Sequence, residues 1–150
     1  MTAYFLDTSA LAKRYLVETG SGWIKSFFLP TLNQVIVISE LTPLEMFSLL
    51  ARRQREGYIS PQDGAAFQAD FLVHFEKQYL VVNLESPILL QARSLVTNHK
   101  LRTLDAIQLA SAAHAANLLG ENLTFLSGDN DLLTAASNEG FVVDNPNVHP

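Results

Sequence analysis

Short apolar runs alternate with helix-start signals along this 150-residue chain, and the alternation sets narrow limits on its fold. Four of these runs have the length and the β-branched or aromatic content of buried strands, and they span residues 3–6, 34–38, 79–84 and 123–126. A stretch with the apolar spacing of a helix follows each run. Repeated units of a strand followed by a helix predict a parallel sheet that helices cover on both faces.

Residues that can cap a helix stand where the predicted helices begin. The cap candidates are Thr8, Ser9, Thr42, Ser60 and Thr103. Thr42 has two supporting signals, because Pro43 follows it and Glu45 stands three residues later, as in a capping box. A short helix at residues 132–138 and an edge strand at 141–143 complete the predicted pattern.

The composition predicts one compact globular domain. Hydrophobic residues make up 48% of the chain and charged residues 17%, which at this length is enough for one core. We expect the domain to span residues 1–144, with residues 145–150 as a short, loose tail. The chain has no cysteine, which excludes disulfides, thiolate metal sites and thiol catalysis. Because there is no export signal or long apolar segment either, a cytoplasmic location is the default expectation.

Several classes of enzyme are excluded because their motifs are missing. The sequence contains no phosphate loop ending in Gly-Lys-Ser/Thr, no glycine fingerprint after the first strand and no Gly-x-Ser-x-Gly elbow. The four histidines are scattered without the spacing of metal ligands, so we assign them no role. A net charge of -5 also argues against a domain that holds nucleic acid by bulk electrostatics, although a metal ion could change the local balance.

Carboxylates stand at the ends of predicted strands or in the first turns of predicted helices. They are Asp7, Glu45, Asp105 and Asp129, with Asp131 beside the last. In an open α/β sheet, ligands bind outside the carboxyl ends of the strands, so we expect these acids to form one site. Gathered carboxylates repel one another and raise one another's pKa, and a hard divalent cation relieves that repulsion. Oxygen ligands alone match Mg²⁺ or Mn²⁺, and such an ion supports phosphodiester hydrolysis without a protein nucleophile.

Each of these acids also has a purely structural interpretation. Asp7 and Asp105 could be helix-start charges, Glu45 could be half of a capping box, and the remaining two could be turn residues. Basic residues near the same segments could guide an RNA backbone toward the metal, or they could be ordinary solvated helix charges. These basic residues are Lys13, Arg14, Arg52, Arg53, Arg55, Lys100 and Arg102.

The order and spacing of these motifs resemble those of PIN domains, specifically the VapC-type ribonuclease toxins of toxin-antitoxin pairs. The resemblance rests on Phe5 Leu6 Asp7 Thr8 Ser9 Ala10 Leu11, on Leu41 Thr42 Pro43 Leu44 Glu45, on Leu104 Asp105 Ala106 and on Leu126 Ser127 Gly128 Asp129. It implies a single-domain, three-layer α/β/α sandwich with a central parallel sheet. It also implies a Mg²⁺- or Mn²⁺-dependent endoribonuclease that forms a homodimer and binds an antitoxin protein.

The same resemblance assigns roles to individual residues. It makes Asp7, Glu45, Asp105 and Asp129 the catalytic, metal-binding acids. It also makes Ser127 the hydroxyl residue that precedes the fourth acid by two positions, where we expect it to contact substrate. Two points stay open in the sequence: Asp131 could share or replace the metal-binding role of Asp129, and Glu40 is a second acid near the expected glutamate. We favour Glu45, because Glu40 falls before the predicted helix cap.

Three other interpretations compete with a nuclease. A haloacid-dehalogenase-like phosphatase needs a second aspartate two positions after Asp7, and Ser9 stands there. A receiver domain needs an acidic pair at the first strand and a lysine near the last one, and Lys100 lies before the fourth strand. The remaining alternative is a non-catalytic PIN-fold module that binds protein or RNA. Such a module has little reason to keep all four acids, and metal-dependent cleavage separates the two functions.

Overall fold

Five parallel strands form the central sheet of the structure, a computed structural model that describes residues 2–150. They are β1 (Thr2–Leu6), β2 (Gln34–Ser39), β3 (Tyr79–Val82), β4 (Thr124–Leu126) and β5 (Val142–Asp144). The strand order is β3-β2-β1-β4-β5, so the first strand of the chain lies at the centre of the sheet. The parallel sheet and the edge strand near the C-terminus are confirmed.

Seven α-helices cover the sheet within residues 2–150. They are α1 (Thr8–Leu11), α2 (Ser21–Ser26), α3 (Thr42–Arg55), α4 (Pro61–Lys77), α5 (Ser86–Asn98), α6 (Thr103–Leu119) and α7 (Asn130–Asn138), with 3-10 turns at Ala12–Arg14 and Pro146–Val148. One cluster of buried apolar side chains joins the sheet to α1–α4, and a second joins its other face to α5–α7. The three-layer α/β/α sandwich is therefore confirmed. None of the helices in this part of the chain is long and apolar enough to cross a bilayer.

The central strand β1 is packed on both of its faces. Ala3 and Phe5 belong to the cluster under α5–α7, whereas Tyr4 and Leu6 belong to the cluster under α1–α4. This alternation follows from the two-residue repeat of a strand, and burial on both faces explains why the run is continuously apolar. Asp7 follows directly, so its position is fixed by the central strand of the sheet.

The first helix begins differently from the prediction. Asp7 itself is the cap of α1, because its side chain accepts a hydrogen bond from the amide of Ala10. Thr8 and Ser9, which we predicted as caps, are helical residues instead. Their hydroxyl groups are therefore free to make contacts with other parts of the protein, and both do so at the candidate site.

Two further capping predictions are wrong, and one is confirmed. Thr42 is already helical in α3, and Glu45 makes no capping box, because its carboxylate binds side chains of other elements. Thr103 is likewise the first helical residue of α6 rather than its cap. Ser60 caps α4 as predicted, accepting a hydrogen bond from the amide of Asp63. At Thr42 and Glu45, contacts with Gln108 engage side chains that local rules assign to the backbone.

The C-terminal segment packs against the domain, so the expectation of a loose tail is wrong. Pro146 is buried, and Asn147 accepts a hydrogen bond of 2.9 Å from the ammonium group of Lys13. The ring of His149 stacks on Trp23 with 4.0 Å between centroids. These partners lie more than a hundred positions away in the chain, which is why the local composition of the tail gave no sign of them.

Both loops that follow the central strands reach the same edge of the sheet. β1 ends at Leu6 and β4, its neighbour, ends at Leu126, and the two residues are in register. The amide of Asp7 donates to the carbonyl of Leu126, which continues the pairing by one residue. The loop that contains Ser127 and Asp129 therefore starts beside Asp7.

Gly20 should tolerate alanine far less than Gly57. Both glycines have a positive φ, +88° and +80° respectively, a backbone conformation that costs an L-residue about 1–2 kcal/mol. A Cβ atom on Gly20 would also clash with the carbonyl oxygen of Pro146, whereas one on Gly57 meets no atom within 4 Å. In urea unfolding, Gly20→Ala should lower the free energy of unfolding by at least about 1 kcal/mol more than Gly57→Ala does. Equal losses would contradict the packing of the C-terminal segment on Gly20.

Candidate active site

All four acids predicted as catalytic line one cleft at the carboxyl edge of the sheet. Asp7, Glu45, Asp105 and Asp129 face a space of ≈ 640 Å³. They come from four segments: the end of β1, the first turns of α3 and α6, and the loop between β4 and α7. Each of these segments carries one acid, and the fold brings the acids together as predicted.

Asp7 is the most enclosed carboxylate of the cleft, with 5% of its surface exposed. Its Oδ1 accepts hydrogen bonds from the amide of Ala10 at 2.9 Å and from the hydroxyl of Ser9 at 2.7 Å. Its Oδ2 accepts a third bond, at 2.6 Å, from Ser127. Burial nevertheless raises the pKa of Asp7 to about 6, because desolvation outweighs the lowering by these bonds, and the charge of Asp105 raises the pKa further.

Two serines tie the loop after β4 to the loop after β1. Ser127 accepts a hydrogen bond of 3.0 Å from the amide of Asp129, while its own hydroxyl is donated to Asp7. Ser9 accepts one of 2.9 Å from the amide of Gly128. Ser127 is fully buried and does not line the cleft. In this structure it therefore contacts Asp7, not the space that a substrate would enter.

Glu45 is held by side chains from two other helices. Its Oε1 accepts hydrogen bonds of 2.8 Å from the Thr8 hydroxyl and 2.7 Å from the Gln108 amide. Glu40, the other acid considered, is exposed, does not line the cleft and accepts a hydrogen bond from the amide of Leu84. The structure thus places Glu45, and not Glu40, among the gathered acids.

Asp105 and Asp129 lie close enough to affect each other electrostatically. Burial raises the pKa of Asp105, and the charge of Asp129 raises it further, while Arg102 acts in the opposite direction. Asp129 caps α7 through Oδ1, which accepts from the amides of Asp131 and Leu132. Its Oδ2 is 4.0 Å from the guanidinium of Arg102, which also lies 3.6 Å from Asp105.

Asp131 lies outside the main cleft. It borders a neighbouring depression of ≈ 360 Å³ together with Asp105 and Asp129. Its side chain is 61% exposed and lies 3.6 Å from the ammonium group of Lys100. A metal-binding role for Asp131 would therefore involve this outer depression.

Five of the seven basic residues predicted near the site fall into two groups. Arg52 and Arg102 line the cleft, and Lys100 borders the neighbouring depression. Lys13, by contrast, is buried and bound to Glu18 and Asn147. Arg14 is also engaged elsewhere, since its guanidinium lies 3.8 Å from the ring centroid of Phe28 and donates to Tyr79. Residues of the first group remain placed to contact a bound polyanion.

Sequence reasoning missed two polar residues of the cleft wall, Thr8 and Gln108. Thr8 was interpreted only as a cap, although its hydroxyl binds Glu45. Gln108 was overlooked inside the alanine-rich helix α6, where it is 2% exposed. One signal was present: Gln108 stands three residues after Asp105, so both lie on the same face of the helix.

The oxygen atoms that line the cleft suit a hard divalent cation as ligands. Its polar walls offer carboxylate and hydroxyl oxygens, which are ligands that Mg²⁺ and Mn²⁺ prefer. The raised pKa values of Asp7 and Asp105 show that negative charge is costly there, and a cation would offset that cost. Within residues 2–150, no three histidine, aspartate or glutamate side chains form a ready-made metal cluster. Mg²⁺ commonly keeps several waters and completes its shell with substrate oxygens.

Solved structures, among them a toxin and a toxin-antitoxin complex, resemble this chain. VapC20 of Mycobacterium tuberculosis, described as a sarcin-ricin loop cleaving toxin, has a TM-score of 0.66 and 21% identity over 98% of this chain and 99% of that one. A toxin-antitoxin complex from Klebsiella pneumoniae has a TM-score of 0.61 and 17% identity over 95% and 97% of the two chains. VapBC2 of Rickettsia felis, bound to a fragment of promoter DNA, has a TM-score of 0.65 and 15% identity over 96% and 98%. At these identities the likeness shows the shared fold.

A comparison with family models is more direct. The model of the PIN domain matches residues 4–137, a span that contains most of β1, the whole of β4 and all four cleft acids. A comparison with curated proteins gives no match. Because the family model covers most of the chain, and the fold agrees with it, this chain belongs to the PIN domain family.

Proposed function

We propose that this protein is a divalent-cation-dependent ribonuclease that hydrolyses RNA phosphodiester bonds and acts as the toxin of a toxin-antitoxin pair. The observation that carries the proposal is the meeting of four carboxylates in one cleft, where Asp7 is buried and has a raised pKa. Stability alone does not favour such a group, because each carboxylate makes its neighbours harder to ionise. Perturbed carboxylates gathered in a cleft are typical of a functional site.

Asp7, Glu45, Asp105 and Asp129 are the residues that would hold Mg²⁺ or Mn²⁺ in the main cleft. Asp131 is a candidate for the outer depression. A bound ion would supply an activated water and neutralise charge on the scissile phosphate, so the chain needs no nucleophile of its own. The protein orients the acids: Ser9 and Ser127 fix the Asp7 carboxylate.

The cleft also offers groups that suit a single strand of RNA. Arg52 and Arg102 stand on its walls, where they can bind phosphate oxygens. Leu44 and Leu104 line the same space and are 71% and 47% exposed, which gives unpaired bases an apolar surface. The net charge of -5 means that such binding would be local rather than spread over the surface.

The proposal includes an antitoxin partner, a homodimer and a cytoplasmic location. Support for the partner comes from a similar structure that is described as a toxin-antitoxin complex, that of Klebsiella pneumoniae. An antitoxin gene beside the gene of this protein would support the toxin function over that of a housekeeping nuclease. The homodimer is testable by light scattering of the purified chain.

Glu45→Gln and Glu40→Gln form a matched pair that tests the catalytic assignment. Glutamine keeps an oxygen for Thr8 and Gln108, so Glu45→Gln should change the free energy of unfolding by at most about 1 kcal/mol. It removes a negative ligand, however, so RNA cleavage with Mn²⁺ should fall at least about 100-fold. Glu40 lies outside the cleft, and Glu40→Gln should cleave RNA like the wild type. A fully active Glu45→Gln protein would remove Glu45 from the site.

Asp7 should destabilise the metal-free protein at neutral pH. Its pKa is raised from 3.8 to about 6, so between these values the folded state binds more protons than the unfolded state. Asp7 therefore contributes about 3 kcal/mol to the free energy of unfolding at low pH, and this contribution is lost as the pH rises through about 6.

Urea unfolding in EDTA at pH 4.5 and pH 7 would measure about 2 kcal/mol of this effect, because part of the loss already occurs below pH 4.5. Asp7→Asn should be at least as stable as the wild type at pH 7, and its stability should fall less as the pH rises. The comparison between the two proteins cancels the contribution of His74, whose lowered pKa, due to burial, acts in the opposite direction. Identical pH dependence of the two proteins would contradict the raised pKa of Asp7.

A further inference from the structure

Gln108 joins the Glu45 carboxylate to two neighbouring threonines inside the wall of the cleft. We propose that Gln108 is a positioning residue: it fixes Glu45 by one carboxylate oxygen so that the other oxygen faces the cleft and binds the divalent cation. This inference rests on the proposed function, because it assigns to Gln108 a part in that same metal site.

The geometry fixes the orientation of the Gln108 side chain. Its Nε2 lies 2.7 Å from Oε1 of Glu45 and 3.3 Å from the hydroxyl oxygens of Thr8 and Thr42. An amide oxygen placed that close to a carboxylate would be repelled, so the nitrogen must face Glu45. Gln108 is 2% exposed, so its amide is shielded from solvent.

Glu45 is bound through one oxygen only. Thr8 and Gln108 both donate to Oε1, at 2.8 Å and 2.7 Å. Within residues 2–150, Oε2 of Glu45 accepts no hydrogen bond, although the side chain lines the cleft. The two oxygens therefore have different tasks: Oε1 anchors the carboxylate, and Oε2 remains available as a ligand. An anchored carboxylate also loses less side-chain entropy when it binds an ion.

Gln108 is a costly residue for a buried helix face. Its Oε1 is buried and, within the described part of the chain, makes no hydrogen bond. A buried polar atom without a partner lowers stability, and a methionine or leucine would fill the same space without that penalty. The neighbours of Gln108 in α6, Ile107 and Leu109, are apolar. A polar side chain that is retained at such a cost fits a functional role better than a packing role.

The position of Gln108 on α6 couples two acids of the cleft. Asp105 stands three residues earlier on the same helix face and lines the same cleft. One rigid helix thus carries an acid and the group that orients a second acid on α3. A shift of α6 would move Asp105 and the Gln108 amide together. The hydrogen bond from Gln108 to Glu45 therefore links the positions of the Asp105 and Glu45 carboxylates.

Gln108→Met is the direct test, because methionine has a similar length and no donor group. We expect the Mn²⁺ affinity, measured by calorimetry, to fall about 10-fold. In RNA cleavage, kcat should fall by a larger factor than KM changes. Thr8→Val removes the second donor to the same oxygen and should act in the same direction, so the test does not depend on one variant. Ser111→Ala is the matched control. Ser111 is a buried residue one turn further along α6, and among residues 2–150 its hydroxyl bonds only to the carbonyl of Ile107, so this variant should keep the wild-type Mn²⁺ affinity.

A double variant separates positioning from a general effect on folding. If Gln108 acts through Glu45, then Gln108→Met combined with Glu45→Gln should bind Mn²⁺ no more weakly than Glu45→Gln alone. Losses that add in the double variant would overturn the proposal. Equal Mn²⁺ affinity in the wild type and Gln108→Met, with weak affinity in Glu45→Gln, would also overturn the role of Gln108 while leaving the metal site. A wild-type protein that binds no Mn²⁺ would overturn the proposed function and this role with it.

Discussion

The burial of one carboxylate, Asp7, is the constraint on which the site depends. Asp7 ends the central strand and is bound by donors from α1 and from the loop after β4, Ser127 among them. Those bonds hold two loops together that are about 120 residues apart in the chain. Without them, desolvation would push the pKa of Asp7 still higher, since each bond favours the ionised form. The same contact therefore shapes the edge of the sheet and keeps its first acid available as a ligand.

The ionised acids of the cleft lower the stability of the metal-free protein, although the proposed function needs them. Burial and the charge of a neighbouring acid raise the pKa of both Asp7 and Asp105. Among the described residues, the one cationic side chain within 4 Å of Asp105 is that of Arg102, which is exposed and also reaches Asp129. Exposed ion pairs of this length contribute little to stability. A divalent cation would satisfy the acids much better, and it would bind only to the folded protein and so stabilise it by mass action.

The fold and the gathering of the acids could be predicted because both follow from short-range rules. Continuous apolar runs predict buried parallel strands, and an acid directly after such a run must lie at the carboxyl edge of the sheet. Thr42 and Glu45 show where those rules stop. Their spacing matches a capping box, yet Glu45 turns toward Thr8 and Gln108, which lie 37 and 63 positions away. The stacking of His149 on Trp23 was likewise invisible, because only the tertiary structure brings those rings together.

Calorimetric titration of Mn²⁺ into the metal-free protein shows whether the acids of the cleft jointly bind a divalent cation. At pH 6, in two buffers of different ionisation enthalpy, binding should release protons, because burial raises the pKa of Asp7 to about 6 and Asp7 must ionise to bind the metal. Asp105→Asn should weaken that binding while leaving the metal-free protein at least as stable. No binding at millimolar Mn²⁺, or binding that Asp105→Asn leaves unchanged, would show that these acids do not bind the cation together.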